Sequence, residues 1–467
     1  MSHEFCFSLT QEQYDHLTEH LLPTSNKQNV AFVFCGQSNG KSKFKFLAKH
    51  IAFVHHDDTA VTNPRLTEWL DHPLSELLAK ANEEQLAVVK VCSHPDGPSH
   101  FTTADDKIDF DLLPLLAGFK GTISPSASVI LLPDGQMFGR VMYALQKYTP
   151  MSSINIVGDN LSFWYDKPQT TKADFTASHG QIFGEGTTER LQKLSIAIVG
   201  CSGTGSPLAE QLARLGVKKL TLVDDDVIEE RNLNRIYGSR MEHATNSEKK
   251  VDVIKKHIQS IGLGTNVTAV PHNLWNAESI RAVAECDIVF GCVDTIDGRF
   301  LLNKLCTYYL LPYFDIGIRL DASPEDGLIR EVCGTIHYLQ PKKSSLLSRG
   351  LFSLEDVANA GLKRLDPDAY QLELEEGYIR GVQEDRPAVI NVNTLGASLA
   401  VNEMLSRIHP YREEPNKRFA QVIFSLASME FITESEDIPC TLFANSAGTG
   451  DTSPLLDMPE LSVKEVA

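Results

Sequence analysis

The sequence predicts an α/β protein in which a doubly wound parallel sheet follows a smaller α/β domain. Its 467 residues exceed one ordinary domain, so two domains are expected. In the second part, short apolar runs with the length of buried strands alternate with helical patterns. A polar, proline-bearing stretch from Tyr165 to Lys172 precedes that part. We therefore place the domains at 1–167 and 168–432, followed by a tail at 433–467.

The composition excludes several classes of protein. Apolar residues make up 42% and charged residues 22%, as in a soluble globular protein. The net charge of −18 argues against nucleic acid or an anionic membrane as the main partner. No apolar run approaches the roughly 18 residues of a membrane span, and no signal peptide is predicted. The nine cysteines are scattered without a CxxC pair, which indicates reduced thiols and a cytoplasmic location.

The first domain is predicted to contain several strands and two helices. We predict strands at 30–36, 44–54, 86–91, 128–132 and 136–142, and helices at 74–81 and 109–116. The strand at 86–91 leads into Cys92-Ser93-His94-Pro95, and Asp105 follows. Cysteine, histidine and aspartate are the side chains that bind zinc, so Cys92, His94 and Asp105 are candidate ligands.

The second domain begins with a strand, a glycine-rich turn, a helix and a second strand. The strand 195–199 ends at Gly200-Cys201-Ser202-Gly203-Thr204-Gly205, and the strand 219–223 ends at Asp224. Glycines let the backbone approach phosphate, and the helix N-terminus supplies unpaired N–H groups. Asp224 follows Gly200 by 24 residues, close to the roughly 20 at which a carboxylate meets ribose hydroxyls. Because Ser202 occupies an expected glycine position, this stretch alone predicts only that a nucleotide binds.

Further polar motifs follow in order. They are Asn232-Leu233-Asn234-Arg235, Lys250 at the start of a helical stretch, and Cys292-Val293-Asp294 at the end of a strand. Each has a structural explanation when taken singly. Asp224 and Asp226 could cap a strand, Arg235 could pair with either, Lys250 could be an exposed charge, and Asp294 could cap the helix near Gly298. Their occurrence together at these spacings favours a site.

Together these motifs resemble the adenylation domain of ubiquitin-activating enzymes and their bacterial ThiF/MoeB-like relatives, from about residue 184 to 432. The resemblance implies a Rossmann-like sheet that uses ATP and magnesium to activate a protein's C-terminal glycine. The implied ATP-binding residues are Gly200, Ser202, Gly203, Gly205, Asp224, Asp226, Asn232, Arg235 and Lys250. Asp294 would hold magnesium, and Arg235, Lys250 and Asp294 would be the catalytic groups.

Other features of this family are missing or changed. Ala177 takes the place of an arginine that often reaches the partner subunit's active site. The family's zinc-binding CxxC pairs do not occur, and the connection at 343–385 has no acceptor cysteine. Cys440 lies in a segment that we expect to be exposed, so it is either the acceptor of a thioester or an incidental thiol. The resemblance also implies a homodimer and a conjugating enzyme as a partner.

The spacing of His94, Pro95, Thr102 and Asp105 resembles that of JAB/MPN metalloproteases. Cys92 stands where that family has its first histidine, Thr102 replaces a serine, and our alignment puts Gln28 at the position of the catalytic glutamate. Cys92, His94 and Asp105 could still hold zinc, but no general base would activate a bound water. We therefore expect a domain that docks a partner and cleaves nothing, in preference to an active protease.

The leading hypothesis is an activating enzyme for a ubiquitin-like protein in a bacterial conjugation pathway, such as one encoded by an antiviral defence operon. A sulfur-carrier-protein adenylyltransferase is the alternative within the same chemistry. A non-catalytic scaffold that binds a ubiquitin-like protein is the alternative outside enzymes. An NAD-dependent oxidoreductase would need only the glycine turn and leaves the later motifs unexplained.

Overall fold

The computed structural model describes residues 3–22, 29–54, 74–94, 97–118, 125–166, 185–323, 328–376, 379, 389–436 and 438–462. The chain forms two compact units. The first is Met1–Pro168 with Tyr308–Leu310 and Ser446–Thr452, and the second contains Gln169–Thr307, Leu311–Asn445 and Ser453–Ala467. Within the described ranges, no helix is long and apolar enough to cross a lipid bilayer.

The first unit is built on a mixed nine-stranded sheet. Its strands are β1 (Glu4–Thr10), β2 (Val30–Asn39), β3 (Lys43–Val54), β4 (Ala87–Ser93), β5 (Ser126–Leu131), β6 (Met137–Ala144), β7 (Lys147–Pro150), β8 (Ser153–Val157) and β9 (Leu161–Tyr165). Their order is β7-β6-β5-β4-β2-β3-β1-β8-β9. The sequence analysis missed β1, although that strand lies inside the sheet, paired in parallel with β3 and β8.

Among the described residues of this unit, three helices accompany the sheet: α1 (Gln11–Leu21), α2 (Leu74–Glu83) and α3 (Thr103–Gly118). Helix α1 starts at a capping box in which Thr10 and Gln13 satisfy each other's backbone N–H groups. Leu112 and Leu113 of α3 share a buried apolar cluster with Phe32 and Phe34 of β2. Burial of these large side chains is the main stabilising contribution in this part of the unit.

A late segment of the chain, Ser446–Thr452, belongs to the first unit rather than to a separate tail. Asp451 N–H donates to Gln37 O at 2.7 Å, and Asn39 N–H donates to the Asp451 carboxylate at 2.8 Å. A Cβ on Gly36 would lie only 2.1 Å from Gly448 O. Only glycine at position 36 allows this close approach of two backbone segments.

The second unit contains an eight-stranded sheet with helices. The strands are β10 (Ser195–Val199), β11 (Lys219–Val223), β12 (Asn266–Val270), β13 (Ile288–Gly291), β14 (Tyr313–Ala322), β15 (Ile329–Leu339), β16 (Gln421–Ser425) and β17 (Glu430–Glu434). The helices are α4 (Glu185–Leu191), α5 (Gly205–Arg214), α6 (Met241–Thr245), α7 (Lys250–Ile261), α8 (Ala277–Ala284), α9 (Ile296–Tyr308), α10 (Leu354–Leu365), α11 (Pro367–Glu375) and α12 (Ile390–Ile408).

The strand order of this sheet is β12-β11-β10-β13-β14-β15-β16-β17. Strands β10 to β14 pair in parallel, and β15 to β17 extend the sheet with antiparallel pairs. The strand order reverses between β10 and β13, and ligands of such sheets bind at the carboxyl ends of the strands on either side of that point. The predicted Rossmann-like sheet is therefore confirmed, and its glycine turn lies at the reversal.

Helix α12 packs along α5 and brings a distant part of the chain to the glycine turn. Gln211 Nε2 of α5 donates to Ser398 Oγ of α12 at 3.1 Å. Tyr237 OH is 3.0 Å from Thr394 Oγ1 on the same helix. These two polar contacts fix the rotation of α12, so the side chains near its first turn face the start of α5.

Candidate active site

The glycine turn joins β10 to α5 and is packed against the end of β13. Gly200 has φ of +91°, and a Cβ there would lie 2.5 Å from Cys292 O. A Cβ on Gly205 would lie 1.9 Å from Gly200 O. Neither position accepts a side chain, because backbone atoms would have to move. The half-buried Ser202 occupies the remaining predicted glycine position without a comparable demand.

The start of α5 is suited to an anion. Its N-cap residue, Thr204, makes no side-chain capping hydrogen bond. Two of its first three positions offer no N–H to an anion, because Ser206 N–H donates to Ser202 O at 3.0 Å and Pro207 has none, but the helix dipole still adds positive potential there. Phosphate groups bind at such helix starts in nucleotide-binding sheets.

Asp224 lies at the end of β11 and is tied to the turn. Its Oδ2 accepts from Cys201 N–H at 2.7 Å, and its Oδ1 accepts from Asp226 N–H at 3.0 Å. Burial raises the pKa of the Asp224 carboxyl, while the nearby Lys250 ammonium acts in the opposite direction without cancelling it. The carboxylate thus has a fixed orientation beside the turn, as a ribose-binding residue requires.

Lys250 is the first residue of α7, as predicted. It is not the solvent-exposed charge that the sequence analysis gave as the alternative to a site residue. Its side chain is 7% exposed. Nζ lies 2.6 Å from the Asp226 carboxylate and 3.9 Å from that of Asp224. Among the described residues, Asp224, Asp225 and Asp226 each have a carboxylate oxygen within 4.8 Å of the other two, which is close enough for the three to hold a metal ion together. Lys250 therefore adds a buried positive charge next to these carboxylates.

Asn232 and Arg235 lie in the segment after β11. Asn232 is buried, and its Oδ1 accepts from Glu229 N–H at 3.2 Å within a short 3₁₀ turn. Arg235 Nη1 donates to Arg231 O at 2.8 Å, and its Cδ lies 3.0 Å from the place a Cβ on Gly203 would take. The guanidinium stem therefore lies against the glycine turn, and Arg235 is not paired with Asp224 as its structural explanation supposed.

Asp294 is exposed in the loop between β13 and α9. The first turn of α9 is capped by other residues, since Gly298 N–H donates to Thr295 Oγ1 at 3.3 Å and to Asp297 Oδ1 at 2.9 Å. Asp294 therefore does not cap α9, which was the structural alternative to a role in the site. An exposed carboxylate is a ligand type that suits Mg²⁺, which commonly takes one or two protein carboxylates together with substrate phosphates.

Asn393 is a residue beside the glycine turn that the sequence analysis did not single out. This α12 residue is buried, and its Nδ2 donates to Thr204 Oγ1 at 2.7 Å, across 189 positions of sequence. Its amide also lies 3.4 Å from the Cβ position of Gly203. A buried asparagine on the apolar side of an amphipathic helix was the available signal, but the sequence could not say what it faces.

The expectation that Cys440 is exposed is wrong. Cys440 is only 3% exposed. Its N–H donates to Lys343 O at 3.0 Å, and its own carbonyl accepts from Ala444 N–H at 3.0 Å. Apolar neighbours such as Phe443 are buried with it, so the segment packs although its composition is polar. Because a reactive thiol must be accessible, this burial removes the basis for choosing Cys440 as the thioester acceptor.

In the first unit, the three candidate zinc ligands do not converge. His94 Nε2 lies 3.3 Å from Asp105 Oδ1, and Thr102 donates twice to Asp105 Oδ2. Cys92 Sγ instead faces Val129 O at 3.8 Å and belongs to the apolar cluster around α3. The described geometry therefore does not fit a three-ligand zinc site. Gln28, Pro95 and Ala177 lie outside the described residues.

A buried ion-pair cluster lies near this place. Lys90 Nζ pairs with Asp109 Oδ1, and Arg140 donates to Asp109 Oδ2 at 2.9 and 2.6 Å. Burial lowers the pKa of Lys90, but its interactions with Cys92 and Asp109 raise it by more, so the net shift is upward. Lys90 therefore stays charged where the sequence analysis had placed a metal.

Relatives of known description match part of the chain. The Aedes aegypti protein "Ubiquitin-like modifier-activating enzyme 5" is 27% identical over 244 residues, which cover 49% of this chain and 58% of that protein. The Meyerozyma guilliermondii protein "Adenylyltransferase and sulfurtransferase UBA4" is 30% identical over 133 residues, 28% of this chain and 30% of that protein. The chain thus spans less than two thirds of either relative.

Among solved structures, one of E. coli MccB aligns with 58% of this chain and 74% of its own, at 18% identity and a TM-score of 0.44. The family comparison covers a similar share of the chain. Residues 177–435, more than half of the chain, match the ThiF family, and this range contains both the glycine turn and every motif residue from Asp224 to Asp294. The chain belongs to the ThiF family.

Proposed function

We propose that this protein activates the C-terminal carboxylate of a ubiquitin-like protein by ATP-dependent adenylation, in a bacterial conjugation pathway. One observation carries the proposal: the buried Lys250 ammonium and the Arg235 guanidinium stem both lie beside the glycine turn at the start of α5. The ThiF family match and the similarity to activating enzymes support this choice.

The reaction requires that two anions meet. A carboxylate oxygen attacks the α-phosphorus of ATP, the bond from that phosphorus to the bridging oxygen breaks, and pyrophosphate leaves with the electron pair. The product is an acyl adenylate. Lys250, Arg235 and the positive end of the α5 dipole would neutralise the phosphates and hold the reacting atoms in line, while Asp224 would fix the ribose. Mg²⁺, held by Asp294 and the phosphates, would supply further positive charge.

The proposal extends to partners by resemblance alone. We infer a homodimer, a conjugating enzyme as the next partner, a cytoplasmic location and a role in antiviral defence. For the first unit we infer a JAB/MPN-like docking module that hydrolyses nothing.

Pyrophosphate exchange tests the adenylation step. We expect radiolabelled pyrophosphate to enter ATP only when a ubiquitin-like protein ending in glycine is present. Lys250→Ala, Arg235→Ala and Asp294→Ala should each lower the exchange rate by about 100-fold or more, since each removes charge stabilisation from the reacting centre. Lys256→Ala is the matched control: Lys256 lies on the same helix, but its side chain is 66% exposed and pairs with Glu248.

Exchange that survives all three substitutions would contradict this site. Binding of a ubiquitin-like protein without any exchange would favour the scaffold. A sulfur-carrier adenylyltransferase would give the same exchange, but its partner would subsequently carry a thiocarboxylate rather than become attached to another protein.

A further inference from the structure

Asn393 has a buried amide oxygen that lacks a hydrogen-bond partner. The residue is 5% exposed, and among the described residues no donor pairs with its Oδ1. Its Nδ2, in contrast, donates to Thr204 Oγ1 at 2.7 Å. Buried side-chain oxygens are nearly always hydrogen-bonded in folded proteins, so this one requires an explanation.

The amide faces the proposed site. Its Cγ lies 3.4 Å from the position of a Cβ on Gly203, and Arg235 Cδ lies 3.0 Å from the same point. Asn393 and Arg235 thus flank Gly203 at the N-terminus of α5, a helix of ten residues. Because α12 is fixed against α5 by Ser398 and against Tyr237 by Thr394, the amide is held in place before any ligand arrives.

The contact with Thr204 also determines what that hydroxyl can do. Since Oγ1 accepts from Asn393 Nδ2, the hydroxyl hydrogen must point elsewhere, and Thr204 makes no capping bond within α5. The start of α5 therefore presents two side-chain groups next to each other, a hydroxyl donor and an amide acceptor. A ligand that satisfies both must carry an acceptor and an N–H or O–H donor in close proximity.

Few groups of the reactants provide such a donor. Phosphates and carboxylates carry only acceptors at neutral pH. The ribose hydroxyls are assigned to Asp224, and the adenine amino group lies beyond the ribose from the phosphates. The terminal residue of the protein substrate does provide one, because its backbone N–H is attached to the same Cα as the reacting carboxylate.

We propose that Asn393 Oδ1 accepts a hydrogen bond from the backbone N–H of the substrate's C-terminal residue, while the Thr204 hydroxyl donates to that residue's carboxylate. Asn393 is then a substrate-binding residue that positions the nucleophile. This inference rests on the proposed function and adds a subsite for the last residue of the substrate.

The test removes the N–H from the substrate. A synthetic peptide ending in Gly-Gly is compared, by pyrophosphate exchange, with a depsipeptide in which glycolate replaces the last glycine and an ester oxygen replaces N–H. The wild-type protein should prefer glycine about tenfold in kcat/KM, the effect of one buried hydrogen bond. Asn393→Ala should lose this preference, with an unchanged KM for ATP. Asn391→Ala, an exposed change on the same helix, should keep it.

The outcomes separate the subsite from the reaction. A wild-type protein that uses both peptides equally would overturn the subsite but leave adenylation standing, and this comparison needs no folded variant. A raised KM for ATP in Asn393→Ala, with the glycine preference intact, would show that the amide serves the nucleotide and would also overturn it. If neither these peptides nor a ubiquitin-like protein ending in glycine supports exchange, the proposed function and the subsite both fail.

Discussion

Lys250 in the second unit and Lys90 in the first are both buried lysines paired with an aspartate, yet their surroundings differ. The Lys250 side chain is 7% exposed, and its partner Asp226 is 67% exposed. The Lys90 side chain is 3% exposed, and its partner Asp109 is completely buried. The Asp226 carboxylate can turn into water and leave Lys250 to a ligand, whereas Asp109 cannot leave Lys90 without stranding two buried charges.

The exposure of the partner thus distinguishes a lysine that can serve a ligand from one that holds a fold. Asp109 also accepts from Arg140, whose guanidinium lies 4.0 Å from the ring centroid of Phe101. Arg140 also pairs with the exposed Asp106, so the two cations face two carboxylates and each has a partner within the first unit. Beside the glycine turn, by contrast, the buried Asn393 Oδ1 has no hydrogen-bond partner among the described residues.

The largest expected effect on stability is at the buried Lys90–Asp109 pair. Lys90→Ala leaves Asp109 buried with one counter-ion fewer, so we expect the first unit to lose about 3–5 kcal/mol of unfolding free energy. Denaturant unfolding monitored by hydrogen exchange of β4 and β5 measures this loss. Lys49→Ala is the control, because the Lys49–Glu84 pair is partly exposed and should contribute less than about 1 kcal/mol. Equal losses in the two variants would refute the claim that a lysine with a buried partner stabilises the fold more than one with an exposed partner.

The second largest expected effect is a loss of stability at low pH that comes from the buried, neutral imidazole of His337. Burial, together with the nearby Arg349 and Arg299 guanidinium groups, lowers the pKa of His337 from 6.5 to about 3. Between these values the unfolded chain binds a proton that the folded chain does not, so stability is complete above pH 6.5 and falls as the pH falls. We expect His337 to account for a loss of about 1.5–2 kcal/mol between pH 6.5 and 5.

Thermal or denaturant unfolding at several pH values compares the wild type with His337→Gln, which has no group that titrates there. The variant should lose less stability than the wild type over this range. Parallel curves for the two proteins would mean that His337 is already protonated in the fold, or that it is not buried as described.

The smallest effect on the free energy of unfolding is expected at the partly exposed Lys250–Asp226 pair. Lys250→Ala should lower the unfolding free energy of the second unit by less than Lys90→Ala lowers that of the first, because its nearest partner Asp226 regains full hydration and only the more distant Asp224 loses a neighbouring charge. The same variant should nevertheless lose pyrophosphate exchange. Hydrogen exchange of β10 and β11 measures the stability. A loss as large as that of Lys90→Ala would show that Lys250 is a structural residue like Lys90.

The elements of the second unit could largely be predicted from the sequence. The strand 195–199, the glycine turn and the strand 219–223 are short local patterns, and the structure has them at the predicted residues. Strand β1 was missed because its first residues, Glu4 and Phe5, carry no turn signal that separates a strand from an extended terminus. Cys440 was misjudged because a polar composition was taken for exposure, whereas its backbone is tied to Lys343.

The sequence by itself determined the glycine turn, the order of the motifs and the family, because these depend on residues close together along the chain. Tertiary structure decided which charges are satisfied internally and which are left available, because that depends on partners far apart in sequence. Asn393 reaches Thr204 across 189 positions, and Ser446–Thr452 joins the first unit from the far end of the chain. No local pattern specifies such contacts, since they form only when the packing of whole helices and strands brings the residues together.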